Sequence, residues 1–262
     1  MEGSRGHTLG RTAGFLDFAR NDGMMEIIPL GDSALIVRMR ERFDDAPEQT
    51  LDTVLRAFQQ LQNAAIPGVI ELAPAYTSVA VFFDPISIAK GAEMPEKVFD
   101  WLATRIRRAL AGVAHPCRTA RTRWRKVEIP VCYDPEFAPD IADVARRAAI
   151  SPSEVIRLHS GAEYRVACIG FVPGFPFLAG LPKELATPRR DVPRKQILPG
   201  SVGIGGAQTG IYPLRSPGGW NLIGRTPLCL FDSKRNPPAL LRAGERVRFR
   251  KISRDEFESF KR

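Results

Sequence analysis

Apolar and polar positions along this chain change period several times, and each change marks an element. Residues 1–24 show no periodic apolar pattern. Polar, glycine-containing and arginine-bearing, they lack a secretory apolar core and read as a disordered leader, or as an extension ahead of a start at Met24 or Met25. From Met25 the pattern is regular. Residues 26–29 and 34–39 read as short strands about a Gly31-Asp32 turn. Leu51, Val54, Leu55, Phe58 and Leu61 then recur at helical spacing behind Asp45-Ala46-Pro47-Glu48, which supplies a cap, an early proline and a first-turn carboxylate. A helix to about Asn63 follows, stopped by Pro67-Gly68. Strands over 69–72 and 76–83, separated by Ala73-Pro74-Ala75, precede a helix over 95–110 with Val98, Leu102, Ile106 and Leu110 on one face. The order ββαββα predicts an α+β domain over 25–112, a ferredoxin-like sandwich with helices on one sheet face.

Residues 113–126 read as a basic linker with a turn at Pro116. A strand over 127–132 opens the second half and leads to a helix over 139–148. Ser151-Pro152-Ser153-Glu154 then begins another helix: Ser151 caps, Pro152 suits the first turn and Glu154 closes a capping box. After His159 the chain becomes short β-type stretches broken by Gly and Pro, over 161–252, the profile of a closed β-barrel. Val247 and Phe249 alternate with Arg246, Arg248 and Arg250 as a late strand with one wet face. Residues 253–261 close as a helix, with Glu256 three residues after Ser253. Residues 127–262 thus read as a mainly β domain.

Composition narrows the function classes. With 262 residues, 44% hydrophobic and 26% charged, the chain has material for a sizeable core and the make-up of a globular protein. No apolar run approaches the ~18 residues of a membrane helix. Cys117, Cys132, Cys168 and Cys229 form no CxxC pair and the histidines are scattered, so no metal cluster is expected, and reduced thiols in a cytoplasmic protein are. The net charge of +9 is concentrated in Arg105, Arg107, Arg108, Arg118, Arg121, Arg123, Arg125 and Lys126, with no acidic residue among them. Such a run is a solvated helix end plus linker or a strip for an acidic partner. With only Trp124 interleaved, a nucleic-acid partner is not expected.

Three segments are too unusual for ordinary core. Gly170-Phe171-Val172-Pro173-Gly174-Phe175-Pro176-Phe177 interleaves backbone-fixing prolines and glycines with aromatics, so it forms a preset apolar wall or plugs the barrel end. Pro188-Arg189-Arg190-Asp191-Val192-Pro193-Arg194-Lys195 reads as an anion strip or a solvated basic turn, because guanidinium groups fork onto carboxylates and phosphates. The glycine-rich stretch 200–227 lets a ligand approach its backbone, with Gln208, Thr209, Tyr212, Ser216 and Thr226 as hydrogen-bonding groups and Arg225 as a charge; alternatively its glycines serve barrel corners. It completes neither a phosphate-binding GxxxxGK[ST] loop nor GxGxxG. His159 is a candidate acid or base, or a packing residue. Cys168, in an apolar strand, reads as core.

These residues also resemble a known family. Gly31-Asp32-Ser33-Ala34-Leu35, Pro67-Gly68-Val69, Pro74-Ala75-Tyr76-Thr77-Ser78 and Asp84-Pro85 are similar to the family of the 5-oxoprolinase B subunit, also called the allophanate hydrolase subunit 1 or Kip-type kinase-inhibitor family. So are His159-Ser160, the run from Gly170 to Pro182, Ala186 to Arg194, Gly200 to Ile204, Gln208 to Pro213 and Ser216 to Leu228. The resemblance implies an α/β N-terminal domain and a cyclophilin-like β-barrel. It also implies action with partners resembling the 5-oxoprolinase C and A subunits to open the lactam of 5-oxoproline to glutamate with ATP, this chain having little activity alone. Other branches imply a histidine-kinase inhibitor or a urea carboxylase module. In the first reading Phe171 and Phe175 wall the substrate, Arg189, Arg190 or Arg194 holds its carboxylate, and Gln208, Thr209 or backbone N–H groups meet the lactam carbonyl. Ser216, Arg225 and Thr226 complete the pocket, and His159 or Tyr212 moves a proton.

Overall fold

A computed structural model describes residues 25–39, 42–43, 47–91, 97–111 and 124–260. The expected leader, Asp45-Ala46 of the first cap, the start of the helix expected from Pro95 and most of the basic linker lie outside them. Strands β1 (Glu26–Pro29), β2 (Ala34–Arg38), β3 (Val69–Ala75) and β4 (Ser78–Phe83) lie in the order β1-β2-β4-β3, all neighbours antiparallel. Val79, Val81 and Phe83 of β4 share one buried cluster with Val54 and Leu61 of α1 (Pro47–Ala64). Leu102 and Ile106 of α3 (Val98–Ala109) belong to the same cluster. The period-2 face of the sheet and the apolar stripes of the helices are complementary, and each large side chain so buried contributes about 1.5–3 kcal/mol.

Two local expectations change. Ala73, Pro74 and Ala75 do not break the strand but pair with Ala80, Val79 and Ser78, and the reversal falls at Tyr76-Thr77, with Tyr76 at φ +33°. Proline is tolerated there because, on the other side of β3, only Ala75 has a strand partner. A short helix, α2 (Pro85–Gly91), which apolar spacing did not reveal, starts where Asp84 Oδ1 accepts the Ile86 and Ser87 amides at 3.0 and 3.2 Å, with proline at the first position.

The second half contains β5 (Lys126–Cys132), α4 (Ile141–Ala148), α5 (Pro152–Gly161), β6 (Glu163–Ile169), β7 (Pro176–Ala179) and β8 (Arg194–Ile197). Then come β9 (Ser201–Gly205), β10 (Gln208–Ile211), β11 (Ser216–Gly218), β12 (Asn221–Arg225), β13 (Arg246–Ile252) and α6 (Arg254–Ser259). The pairing β6-β13-β5-β12-β9-β10-β7 returns to β6 and closes a seven-stranded barrel, in which β13 and β5 run parallel and the other neighbours antiparallel. Its interior is filled by side chains such as Ile129, Val166, Leu178, Val202, Ile204, Ile223, Val247 and Phe249, so it is a packed core rather than a channel. Ser151 and Ser253 cap α5 and α6, their Oγ atoms accepting the amides of Glu154 and Glu256. The Glu154 carboxylate, however, pairs with Arg157 rather than closing a capping box.

A strand pairing and a cluster of ion pairs join the halves beside the barrel. Strand β6 pairs first with β13 and then, at Cys168, with Ala75 of β3, making one 11-stranded sheet. Arg165, buried on β6, donates to Glu48 and Asp52 of α1 at 2.8 and 2.6 Å and to the Gly244 carbonyl at 3.3 Å. The register places Tyr76, next to Ala75, at the barrel end where the unusual segments gather. Among the described residues no helix is long and apolar enough to cross a membrane.

Candidate functional site

The aromatic loop and the glycine strands meet at one end of the barrel. The loop after β6 is held by its own backbone: Gly170 N donates to Phe175 O at 3.1 Å, Val172 N to Gly170 O at 2.7 Å and Phe175 N to Val172 O at 3.0 Å. Phe175 sits at the hub of a ring cluster, 4.8 Å from Phe177, 5.1 Å from Tyr212, 5.5 Å from Trp220 and 5.5 Å from Phe171 between centroids. The glycines opposite are required by this packing. A Cβ on Gly205 would lie 2.6 Å from the Trp220 ring, and one on Gly210 would lie 2.8 Å from the Pro176 carbonyl and 2.9 Å from Phe175. Phe171, 60% exposed and at φ +64°, holds its ring at the surface in a left-handed conformation rare for a bulky residue, the kind of strain that collects at functional sites.

Tyr76 reaches this face from the N-terminal half. Its ring lies 6.2 Å from that of Phe177, and its hydroxyl accepts from Gln208 Nε2 at 2.8 Å and is hydrogen-bonded to Cys168. Burial raises the Tyr76 pKa, and pushes the Cys168 thiol up to about 11, so both stay neutral near pH 7. Burial is the main influence on both Tyr76 and Tyr212, and the positive charge of Arg189 acts weakly in the opposite direction on each. Burial also raises the Tyr212 pKa, while the Trp220 backbone N–H donates to its hydroxyl.

An open cavity of about 630 Å³ lies between α4 and the loop after β7. One wall is Asp143, Arg146 and Arg147 of α4; the other is the loop after β7, with Thr187, Arg189, Arg190 and Asp191, together with Asn221 of β12. The rings do not line it. The three unusual segments therefore adjoin without enclosing one pocket, and Arg189 alone belongs to both the cavity wall and the surroundings of the phenols.

Arg190 and Arg194 are already committed. Both donate to Asp140, Arg190 through one nitrogen at 2.8 Å and Arg194 through two at 2.8 Å, while the Leu222 amide donates to the same carboxylate at 2.7 Å. The Asp140 side chain is 3% exposed. Such a charge-assisted knot fixes the loop against the barrel. Local sequence shows Asp140 only as a residue in the first turn of the helix expected over 139–148, which the structure starts at Ile141, and nothing in it indicates arginine partners about fifty positions onward.

His159, at the end of α5, is wholly buried, 4.4 Å from the ring of Phe249. Tyr133 O–H to Nδ1 at 2.8 Å, Nε2–H to Thr209 Oγ1 at 3.0 Å, and Thr209 O–H to the Gly203 carbonyl at 3.0 Å form one chain for a neutral imidazole. Burial lowers its pKa to about 3. The structure thus puts His159 and Thr209 in the barrel interior, with their polar atoms used. Ser216 is buried on β11 and Thr226 follows β12, its hydroxyl accepting from the Leu228 amide at 3.2 Å. Arg225 lies four strand positions from Asn221, about 13 Å at the usual rise. It donates to the Pro199 carbonyl at 2.9 Å and stands over Phe137. Phe171, Phe175, Tyr212, Gln208 and Arg189 are the candidates that the fold brings together, and Tyr76, Asp140, Arg146 and Arg147 are those that sequence reasoning missed. Among the described residues no group of three or more His, Cys, Asp or Glu side chains gathers for a metal.

Comparison with known proteins adds to this geometry. Residues 25–241 match the model for the carboxyltransferase domain, subdomain C and D. The chain is 44% identical over 239 residues to the 5-oxoprolinase B subunit of Bacillus subtilis (strain 168), covering 90% of this chain and 96% of that one. The crystal structure of TTHA0988 matches with TM-score 0.68 and 36% identity, over 85% of this chain and 40% of that one. The urea amidolyase of K. lactis, 20% identical, has the same fold, with TM-score 0.69 over 92% of this chain and 16% of that one.

Proposed function

Since the chain belongs to the family of the carboxyltransferase domain, subdomain C and D, we propose that it is the B subunit of an ATP-dependent 5-oxoprolinase, opening the lactam of 5-oxoproline to L-glutamate with partners resembling the C and A subunits of that enzyme. The observation that carries the reading is the 44% identity to a protein of that name across 96% of its length. A partner is supported by two features. In TTHA0988 and the K. lactis urea amidolyase the matching region is part of a much longer chain. Here, exposed Phe171, Val192, Leu198 and Leu214 flank the candidate site in sequence. We read the assembly as cytoplasmic, and residues 25–112 and 127–262 as two domains, a ferredoxin-like sandwich and a cyclophilin-like barrel.

The reaction adds water across the lactam C–N bond, hydroxyl to the carbonyl carbon and hydrogen to the nitrogen, and ATP supplies the driving force to the complex. In this chain Arg189 is the cation available to the substrate carboxylate, since Asp140 holds Arg190 and Arg194. Phe171 and the ring cluster around Phe175 offer an apolar wall for the ring methylenes. Gln208, oriented by Tyr76, donates toward the lactam carbonyl, where charge develops as water adds. His159 acts through Thr209 as a positioning residue beneath the glycine strands. The test is ATP-dependent glutamate release by the three co-purified subunits. Arg189→Ala and Gln208→Ala are each expected to lower kcat/KM by about tenfold or more, the worth of one charge-assisted or transition-state hydrogen bond. No ATP-dependent glutamate release from the wild-type complex would refute the function, and an unchanged kcat/KM in either variant would remove that residue from the site.

A further inference from the structure

The cavity between α4 and the 187–192 loop has no part in the lactam chemistry beyond Arg189, and its own chemistry is specific. Four guanidinium groups, those of Arg146, Arg147, Arg189 and Arg190, line it against two carboxylates, Asp143 and Asp191. Their pairing is uneven. Arg146 is held by Asp143 on the same helix, and Arg190 by Asp140 behind the wall. Arg147 and Arg189 have no carboxylate partner among the described residues, one on each wall. A concave surface with unneutralised guanidinium forks on two sides focuses its field on an anion between them. At about 630 Å³ the space lies within the range of sites for drug-sized ligands and cofactors, and exceeds what one small carboxylate fills.

The geometry points to a binding site for a phosphate-bearing anion, the polyphosphate chain of a nucleotide or a free polyphosphate, clamped between Arg147 of α4 and Arg189 of the loop. Phosphate fits better than carboxylate for two reasons. Successive phosphoryl groups present acceptor oxygens to both walls at once, whereas a single carboxylate offers one edge to one fork. The Asp140 knot also ties down the loop at Arg190 and Arg194, so that the backbone next to Arg189 is held before the ligand arrives and only the Arg189 side chain has to be ordered. Asp191 makes no ion pair among the described residues, and as an acceptor it suits sugar hydroxyls, which a bare polyphosphate lacks. It separates the two sources of the same chemistry.

Binding is read on the isolated full chain, so that it stands or falls apart from glutamate release. Calorimetry and thermal shift at low ionic strength use pyrophosphate, ADP and, as a carboxylate control, succinate. Pyrophosphate and ADP should bind and raise the melting temperature. Arg147→Gln, an exposed substitution that leaves the core untouched, should weaken both by about tenfold or more, the range of one charge-assisted hydrogen bond. If ADP binds more tightly than pyrophosphate and only ADP is weakened by Asp191→Asn, the nucleotide is the ligand; if the two bind alike and Asp191→Asn changes neither, it is the free polyphosphate. No thermal shift with either phosphate compound up to about 10 mM, enough to saturate a site of millimolar Kd, would overturn the proposal. So would binding indifferent to Arg147→Gln, or succinate binding as tightly as pyrophosphate.

Discussion

Lowering the pH perturbs the buried imidazole of His159 in a way that can be worked out in advance. His159 is fully enclosed, and Tyr133, Tyr164, Thr209 and Phe249 face it, so among the described residues no neighbouring carboxylate compensates an imidazolium. Its pKa falls from the ordinary 6.5 to about 3. In the unfolded chain the imidazole takes a proton near pH 6.5, while in the folded barrel it stays neutral. The unfolded state therefore binds protons first as the pH drops. The stability associated with the neutral imidazole is complete above pH 6.5 and is lost as the pH falls from there toward 3. Linkage puts the loss near 2 kcal/mol by about pH 5, rising to about 4 kcal/mol at pH 3. Urea denaturation of wild type and His159→Gln at about pH 7.5 and about pH 5 isolates this part, since glutamine retains an acceptor and a donor without titrating. The wild type should lose about 2 kcal/mol more than the variant over that interval. Parallel losses, within about 0.5 kcal/mol, would refute the argument that the barrel holds a neutral imidazole.

Two further outcomes test the scaffold. Asp140→Ala should destabilise the protein by about 3 kcal/mol in urea denaturation, because a buried carboxylate leaves two arginines and the Leu222 amide without their acceptor; the arginines' partial exposure keeps the loss at the lower end for buried pairs, and a loss below about 1 kcal/mol would show that the knot is dispensable. Gly210→Ala places a methyl 2.8 Å from the Pro176 carbonyl, a backbone atom that cannot swing aside, and should lower stability by about 1–3 kcal/mol and red-shift Trp220 fluorescence as the rings part; an unchanged melting temperature and spectrum would mean that the strands are free to separate.

The placement of Tyr76 gives the N-terminal half a part in the candidate site. Its hydroxyl bridges Gln208 of β10 and Cys168 of β6, and the register that delivers it depends on the single Ala75–Cys168 pairing between the sheets. The Arg165 clamp onto Glu48 and Asp52 holds that arrangement from the side of α1. The acidic partners of the clamp are exposed but the Arg165 guanidinium is buried, so removing a carboxylate leaves a buried charge short of a partner and costs stability as well as orientation.

Much of this architecture could be read locally. Leu51, Val54, Leu55 and Leu61 at helical spacing, Val247 and Phe249 between arginines, and the serines that cap α5 and α6 specify their elements because period and capping depend only on neighbours in the chain. The preset character of the loop carrying Phe171 and Phe175 was also legible, since clustered Gly, Pro and aromatic residues fix a backbone wherever it lies. What tertiary structure decided was which polar groups remain free. Arg190 and Arg194 look like Arg189 in sequence, but Asp140 holds two of the three. His159 resembles an acid–base residue until its two nitrogens are found satisfied by Tyr133 and Thr209 in the core. Tyr76 enters only through a strand register, and Arg147 only through the packing of a helix across from a loop. Local spacing determines conformation because backbone and capping forces act within a few residues. The availability of a charge or a proton depends on burial and on partners distant in sequence, and those exist only once the barrel has closed.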